Sequence, residues 1–163
     1  MRTVQTSNRQ FNCRVLIAFL LLIQSCSTLD VYEKTVALPG QKWAGSNQPE
    51  FQFSIQDTAA LYHIFFVIRH TEKYNYKNIF LKLHIKEPGS DSIITIQKEL
   101  ILATDKDGWL GTAMNDIYEH RINLSPQGSS FPKPGIYSFR LEQIMREQPL
   151  AHVLNAGIRI EKK

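Results

Sequence analysis

Ile79-Phe80-Leu81-Lys82-Leu83-His84-Ile85-Lys86 changes character at every second residue. Ile79, Leu81, Leu83 and Ile85 fall on one side of an extended chain, and Lys82, His84 and Lys86 on the other. That is the period of two of a half-buried strand, and a helix cannot produce it. The pattern recurs in Phe51-x-Phe53-x-Ile55, Tyr137-x-Phe139-x-Leu141 and Ile158-x-Ile160. Ile64-Phe65-Phe66-Val67-Ile68 is apolar without interruption, which predicts a central strand covered on both faces. Ser92 to Leu102 is rich in Ile and Thr, which suit a pleated surface.

Turn chemistry separates these runs: Pro39-Gly40, Pro88-Gly89, Asp107-Gly108, Pro126-Gln127-Gly128 and Pro132-Lys133-Pro134-Gly135. No long segment keeps apolar residues at helical spacing. The best helical candidate is Glu142 to Glu147, one or two turns at most. Many short strands punctuated by turns predict an all-β fold, an antiparallel β-sandwich, with a jelly-roll order as one arrangement within that class.

The N-terminus reads differently. Arg2, Arg9 and Arg14, with no acid among them, lead into the apolar run Val15 to Ile23. A bilayer-spanning helix needs about 20 apolar residues, so this run has the length of a signal-peptide core instead. Ile23-Gln24-Ser25-Cys26 then fits a bacterial lipoprotein cleavage box, with an aliphatic residue three before the cysteine and a small one just before it. The expected organisation is a signal peptide over 1–25, a lipidated Cys26 with a short tether over 26–30, and one sandwich domain over 31–163. Acyl chains on Cys26, each contributing about 0.8 kcal/mol per buried methylene, would hold the domain on a membrane.

The 163-residue chain has a formal charge of +4 and a pI near 9.1. Loss of Arg2, Arg9 and Arg14 takes +4 to +1, so the mature domain carries no basic signature of nucleic-acid binding. Of the two cysteines, Cys13 leaves with the signal and Cys26 takes the lipid, which leaves no disulfide and no cysteine metal site.

No pattern announces catalysis. There is no G-x-S-x-G, and the scattered serines and histidines read as solvent-facing. His63, His70, His84, His120 and His152 form neither H-x-H nor H-E-x-x-H, so no metal is expected. Asp105-Lys106-Asp107-Gly108 matches the first half of a calcium loop, but Trp109 and Leu110 stand where further oxygen ligands are needed, and the segment reads as a tight turn. Trp43, Tyr74, Tyr76 and Trp109 lie in or beside turns. Packing is the plainer reading of these rings. The sharper one makes Trp43, Tyr74 and Tyr76 a platform for sugars or peptides. Arg69 to Lys77 is the most polar and aromatic loop, either a solvated connection or a partner-contact loop.

Three phrases in order carry a family resemblance. The first is Val31-Tyr32-Glu33-Lys34 with Leu38-Pro39-Gly40-Gln41-Lys42-Trp43. The second is Asp107-Gly108-Trp109-Leu110-Gly111-Thr112 with Asp116-Ile117. The third is Phe131-Pro132-x-Pro134-Gly135-x-Tyr137, then Leu141-Glu142-Gln143-x-Met145-Arg146 and Gly157-Ile158-Arg159-Ile160-Glu161. Together they make the chain resemble the gliding-motility lipoprotein family GldH of Bacteroidota across nearly all of the mature chain. The resemblance implies a lipid-anchored envelope component of the gliding machinery, working through contacts with other gliding proteins. It implies no enzyme, no cofactor and no catalytic residue. The one residue it assigns a chemical role is Cys26, the lipid acceptor. An envelope glycan- or peptide-binding module is the competing expectation. Ser27-Thr28-Leu29 before Asp30 is not the acidic start of an exported surface lipoprotein, which favours a periplasm-facing anchor, on the inner or the outer membrane. In structural terms, Pro39-Gly40 and Asp107-Gly108 should make turns, and Trp109 should begin a strand with its ring buried.

Overall fold

The computed structural model describes residues 31–163, and the signal peptide, Cys26 and the tether lie outside the described residues. The described chain builds strands β1 (Val31–Ala37), β2 (Lys42–Trp43), β3 (Glu50–Ile55), β4 (Leu61–Thr71), β5 (Asn78–Lys86), β6 (Ile93–Ile101) and β7 (Ala103–Thr104). It continues with β8 (Gly108–Trp109), β9 (Thr112–Met114), β10 (Ile117–Asn123), β11 (Ser129–Ser130), β12 (Gly135–Gln143), β13 (Leu150–Ala151) and β14 (Val153–Lys162). One main sheet has the order β1-β14-β4-β10-β9, with β11 also paired to β4; the second main sheet has the order β3-β12-β5-β6, and β13-β2 and β7-β8 form separate two-stranded pairs. Every pairing is antiparallel. The expected all-β class is what the chain adopts.

Alternation places the core. Tyr62, Ile64, Phe66 and Ile68 of β4 point inward with Ala156, Ile158 and Ile160 of β14. They meet Phe51, Phe53 and Ile55 of β3, Tyr137, Phe139 and Leu141 of β12, and Ile79, Leu81 and Leu83 of β5. Phe53 links the two sheets: its ring lies 5.5 Å from Tyr32 on one sheet, and 4.9 Å from Phe139 on its own. Apolar area on both inner faces, removed from water, is the main stabilising term.

β4 is central, between β14 and β10, as its apolar run predicts. Its outer face is covered at Val67, which is buried, while Phe65 stays half-buried. Val67 pairs with Gly157 of β14 and Arg121 of β10. Gly157 has no room for a side chain: an added Cβ would sit against Lys34 O and 2.7 Å from Thr35 Cα of β1.

The helix expected over Glu142 to Glu147 does not form. β12 runs on to Gln143, and bends follow. The cause is the buried Gln143 amide. Its Nε2 donates to Trp43 O at 3.0 Å and to Gln148 Oε1 at 3.0 Å, and its Oε1 accepts from Met145 N at 2.9 Å. Those bonds satisfy the turn that a helix would have satisfied with its own backbone.

Candidate functional site

The three aromatic candidates separate. Trp43 is fully buried; its ring stacks 6.4 Å from Phe66 and its Nε1–H donates to Asn47 O at 2.8 Å. Tyr74 is buried too, and its hydroxyl donates to Asn78 O at 3.1 Å. A buried ring has no free face to offer a ligand, so the platform expectation fails for Trp43 and Tyr74 on packing grounds. Tyr76 alone keeps partial exposure, 5.8 Å edge-on from Tyr74. A hydrogen bond to the Glu147 carboxylate holds its hydroxyl above the ordinary tyrosine range.

Tyr74 and Tyr76 belong to a larger assembly. His70 at the end of β4 lies 4.4 Å from Trp109, 5.0 Å from Tyr74, 5.0 Å from His120 and 5.8 Å from Tyr118, ring centre to ring centre. The Asp107-Gly108 turn brings Trp109 here. Gly108 takes φ +67°, and Thr104 Oγ1 accepts from Asp107 N at 2.9 Å. The ring of Trp109 is half-buried rather than buried, because it covers the cluster from outside instead of filling it. Gly111 then passes so close that an added Cβ would meet Glu119 O at 2.5 Å and the His120 ring at 2.9 Å. The Asp107 to Thr112 phrase is thus an aromatic cover with a glycine at its tightest point.

Inside, His70 Nδ1 lies 2.7 Å from Thr71 O, and His70 Nε2 lies 2.9 Å from His120 Nε2. A carbonyl only accepts, so His70 carries its proton on Nδ1 and offers a lone pair at Nε2. His120 must then donate through Nε2–H. Both imidazoles are neutral in this arrangement. Burial, and secondarily the neighbouring His70, push the His120 pKa down to about 4. Burial also lowers His70, against the pull of Thr71 O. Among the described residues no group of three or more His, Cys, Asp and Glu side chains is arranged to hold a metal.

The domain carries two surface depressions, one beside this cluster and one further along β4. The outer face of the β1-β14-β4-β10-β9 sheet carries a trough of about 320 Å³ lined by Arg69, Met114, Ile117, Glu119, Arg121 and Asn155. Its charges are cross-linked: Arg69 pairs with Glu119, Arg121 reaches Glu119 at 2.8 Å and Glu33 at 3.1 Å, and Arg159 meets Glu33 at 2.7 Å. Burial pushes the Glu33 carboxyl up, yet its bonds to Arg159 and Arg121 hold it below the ordinary carboxylate range. Arg69 is therefore part of a sheet face rather than of a loop; β4 extends to Thr71. The second depression, about 220 Å³, opens between the two sheets and is lined by Leu83, Ile85, Ile94, Ile96, Leu124 and Phe131.

His70, Tyr118 and His120 are the site residues that motif reading passes over. Their signal is parity: His70 continues Ile64-x-Phe66-x-Ile68, and His120 sits between Tyr118 and Ile122 on the inward side of β10.

The chain is similar to known proteins along most of its length. It is 26% identical over 159 residues to "Gliding motility lipoprotein GldH homolog" of Christiangramia forsetii, covering 93% of this chain and 96% of that one. It is 24% identical over 161 residues to "Gliding motility lipoprotein GldH" of Flavobacterium johnsoniae, covering 93% and 97%. Among solved structures it is similar to a carbohydrate-binding module specific for non-crystalline cellulose, with TM-score 0.41 and 11% identity, covering 80% of this chain and 69% of that one. The family described as GldH lipoprotein matches residues 30–160, and the chain belongs to it.

Proposed function

We propose that this protein is a membrane-anchored lipoprotein of the gliding machinery that works as a structural or assembly component through protein–protein contacts. The observation that carries this reading is the family match over residues 30–160, the whole sandwich apart from its last residues. Relatives of the same length bear gliding-motility names. The trough beside Arg69, Met114 and Arg121 supports it, since Arg and Met are enriched at protein interfaces. Cys26 is the lipid acceptor, and the domain faces the periplasm.

The family is one of lipoproteins, and the reading needs no catalytic group: the buried histidines are neutral and sealed beneath Trp109. The glycan-binding alternative loses two of its three rings to the core.

Crosslinking in native cells, followed by affinity capture of the tagged, anchored protein and mass spectrometry, tests the proposal. Enrichment of gliding components is the expected result; capture of wall polysaccharide without them overturns it. Cys26→Ala should release the protein from the membrane and stop colony spreading. Unchanged localisation and spreading would refute the anchor.

A further inference from the structure

We infer that β6 is a self-association edge, and that two copies of this chain pair their β6 strands antiparallel about a two-fold axis through Gln97. β6 is the last strand of its sheet, and seven consecutive residues, Ile93 to Glu99, are exposed. Proteins normally protect such an edge with a bulge, a proline, inward charges or a short length. β6 is nine residues long, pairs with β5 in unbroken register, contains no proline, has Lys98 as its single inward-side charge, and carries four isoleucines at 51% (Ile93), 50% (Ile94), 38% (Ile96) and 50% (Ile101) exposure.

Parity fixes what the edge offers. Leu102 N–H donates to Lys77 O at 2.7 Å, in line with the β5–β6 register. Even-numbered residues of β6 therefore aim their backbone groups at β5. Ile93, Thr95, Gln97, Glu99 and Ile101 aim theirs outward. A second strand would bond to those five residues.

Charge and apolar pairing then select the register. β6 holds one base, Lys98, and one acid, Glu99, on opposite faces. An axis through Lys98 or Glu99 would set like charges directly opposite, which is destabilising. An axis through Gln97 sets Lys98 opposite Ile96 and Glu99 opposite Thr95. It also sets Ile93 opposite Ile101 on the outer face and Ile94 opposite Leu100 on the inner face. All nine residues find partners, and each exposed isoleucine gains a neighbour across the axis. The same contact covers the mouth of the groove that Ile94 and Ile96 overhang. Lys98, which has no ion pair among the described residues, keeps its ammonium at the rim.

Site-directed crosslinking of the full-length protein in membranes tests the pairing. Directly opposed residues that exchange both backbone bonds sit about 5.5 Å apart at Cα, a separation a disulfide spans. Gln97→Cys should oxidise to a covalent dimer of twice the mass. Ile93→Cys mixed with Ile101→Cys should do so as well, and Ile93→Cys alone or exposed Ala113→Cys should not. Equal crosslinking of Ala113→Cys, none at Gln97→Cys, or a Gln97→Cys adduct to a protein of another mass overturns the proposal. The double variant Ile93→Lys/Ile101→Lys alters exposed positions only and opposes like charges across the axis. It should fold normally and dissociate in detergent at concentrations at least about tenfold higher than the unmodified protein, as read by light scattering. A folded double variant with unchanged dimerisation, or an unmodified protein that is monomeric throughout, overturns the proposal too.

Discussion

His120 donates through Nε2–H to Nε2 of His70 over 2.9 Å, with both rings inside the core and Trp109 over them. The pair joins β4, near its Thr71 end, to the neighbouring strand β10. It completes the inner face where β4 and β10 would otherwise continue with aliphatic residues. Its hydrogen bonds consume the polar atoms that burial would leave costly.

Protonation breaks this arrangement, so stability should depend on acid. The folded pKa of His120 is depressed, from 6.5 to about 4. Above pH 6.5 both folded and unfolded chains hold a neutral ring and nothing changes. As pH falls from about 6.5 towards 4, the unfolded chain takes up the proton first, and stability is lost. The loss is on the order of 3 kcal/mol for this ring. Urea unfolding at pH 7 and pH 4.5 measures it, and His120→Gln should flatten the difference between the two.

Trp109→Ala should cost about 3 kcal/mol, the low end for an aromatic truncation, because the ring is half-buried. Water then reaches the pair, and the His120 pKa should move back towards the ordinary histidine value. Proton NMR titration of the imidazole C–H resonances reads this directly. An unmoved pKa would show that Trp109 does not seal the pair.

Gly157→Ala should destabilise by about 1–3 kcal/mol, the usual range for forcing an extra methyl into a packed site. Its Cβ would collide with the backbone of β1 at Lys34 and Thr35, not with a movable side-chain tip. Hydrogen exchange should therefore speed up first at the amides of Val31 to Ala37.

Trp43→Ala and Tyr76→Ala should part company. Removing the buried Trp43 ring should cost about 3–5 kcal/mol, whereas Tyr76→Ala, at a partly exposed site, should stay within about 0.5 kcal/mol. Thermal melts of the two variants compare them. A loss of colony spreading in a stable Tyr76→Ala protein would assign that ring to a partner contact.

The strands were legible because alternation is a strong local signal. Ile79 to Lys86 and Phe51 to Ile55 reappear as β5 and β3 with their apolar sides inward. Trp43 stays open between packing and a ligand platform in the sequence, because a ring beside a turn faces solvent or core with the same local sequence. Only the β2–β13 pairing at Leu150, more than a hundred residues away, decides it. The helix expected at Glu142 fails for a long-range reason too: Gln143 bonds to Trp43 O across the fold. His70 and His120 carried the parity of core residues, yet their contact depends on the β4–β10 register, which no short window reveals. The exposed isoleucines of β6 alternate like those of any strand, and only the sheet order shows that β6 lies at an edge.

β1 opens at Val31, the first described residue, and runs antiparallel to β14 through seven paired positions, Val31 opposite Glu161 to Ala37 opposite Asn155. With the anchor proposed at Cys26, any tension between membrane and domain enters at that strand's first residue. Pulled along its own axis, β1 would have to slide past β14, so its backbone bonds are strained in shear and must give way together. Peeling the same strand from its free end would break them one after another. Gly157, which lets the two backbones lie in contact, and the Glu33–Arg159 ion pair sit within this joint. On the proposed anchoring, a pull along β1 would therefore load this joint in shear, the direction in which its seven paired positions act together.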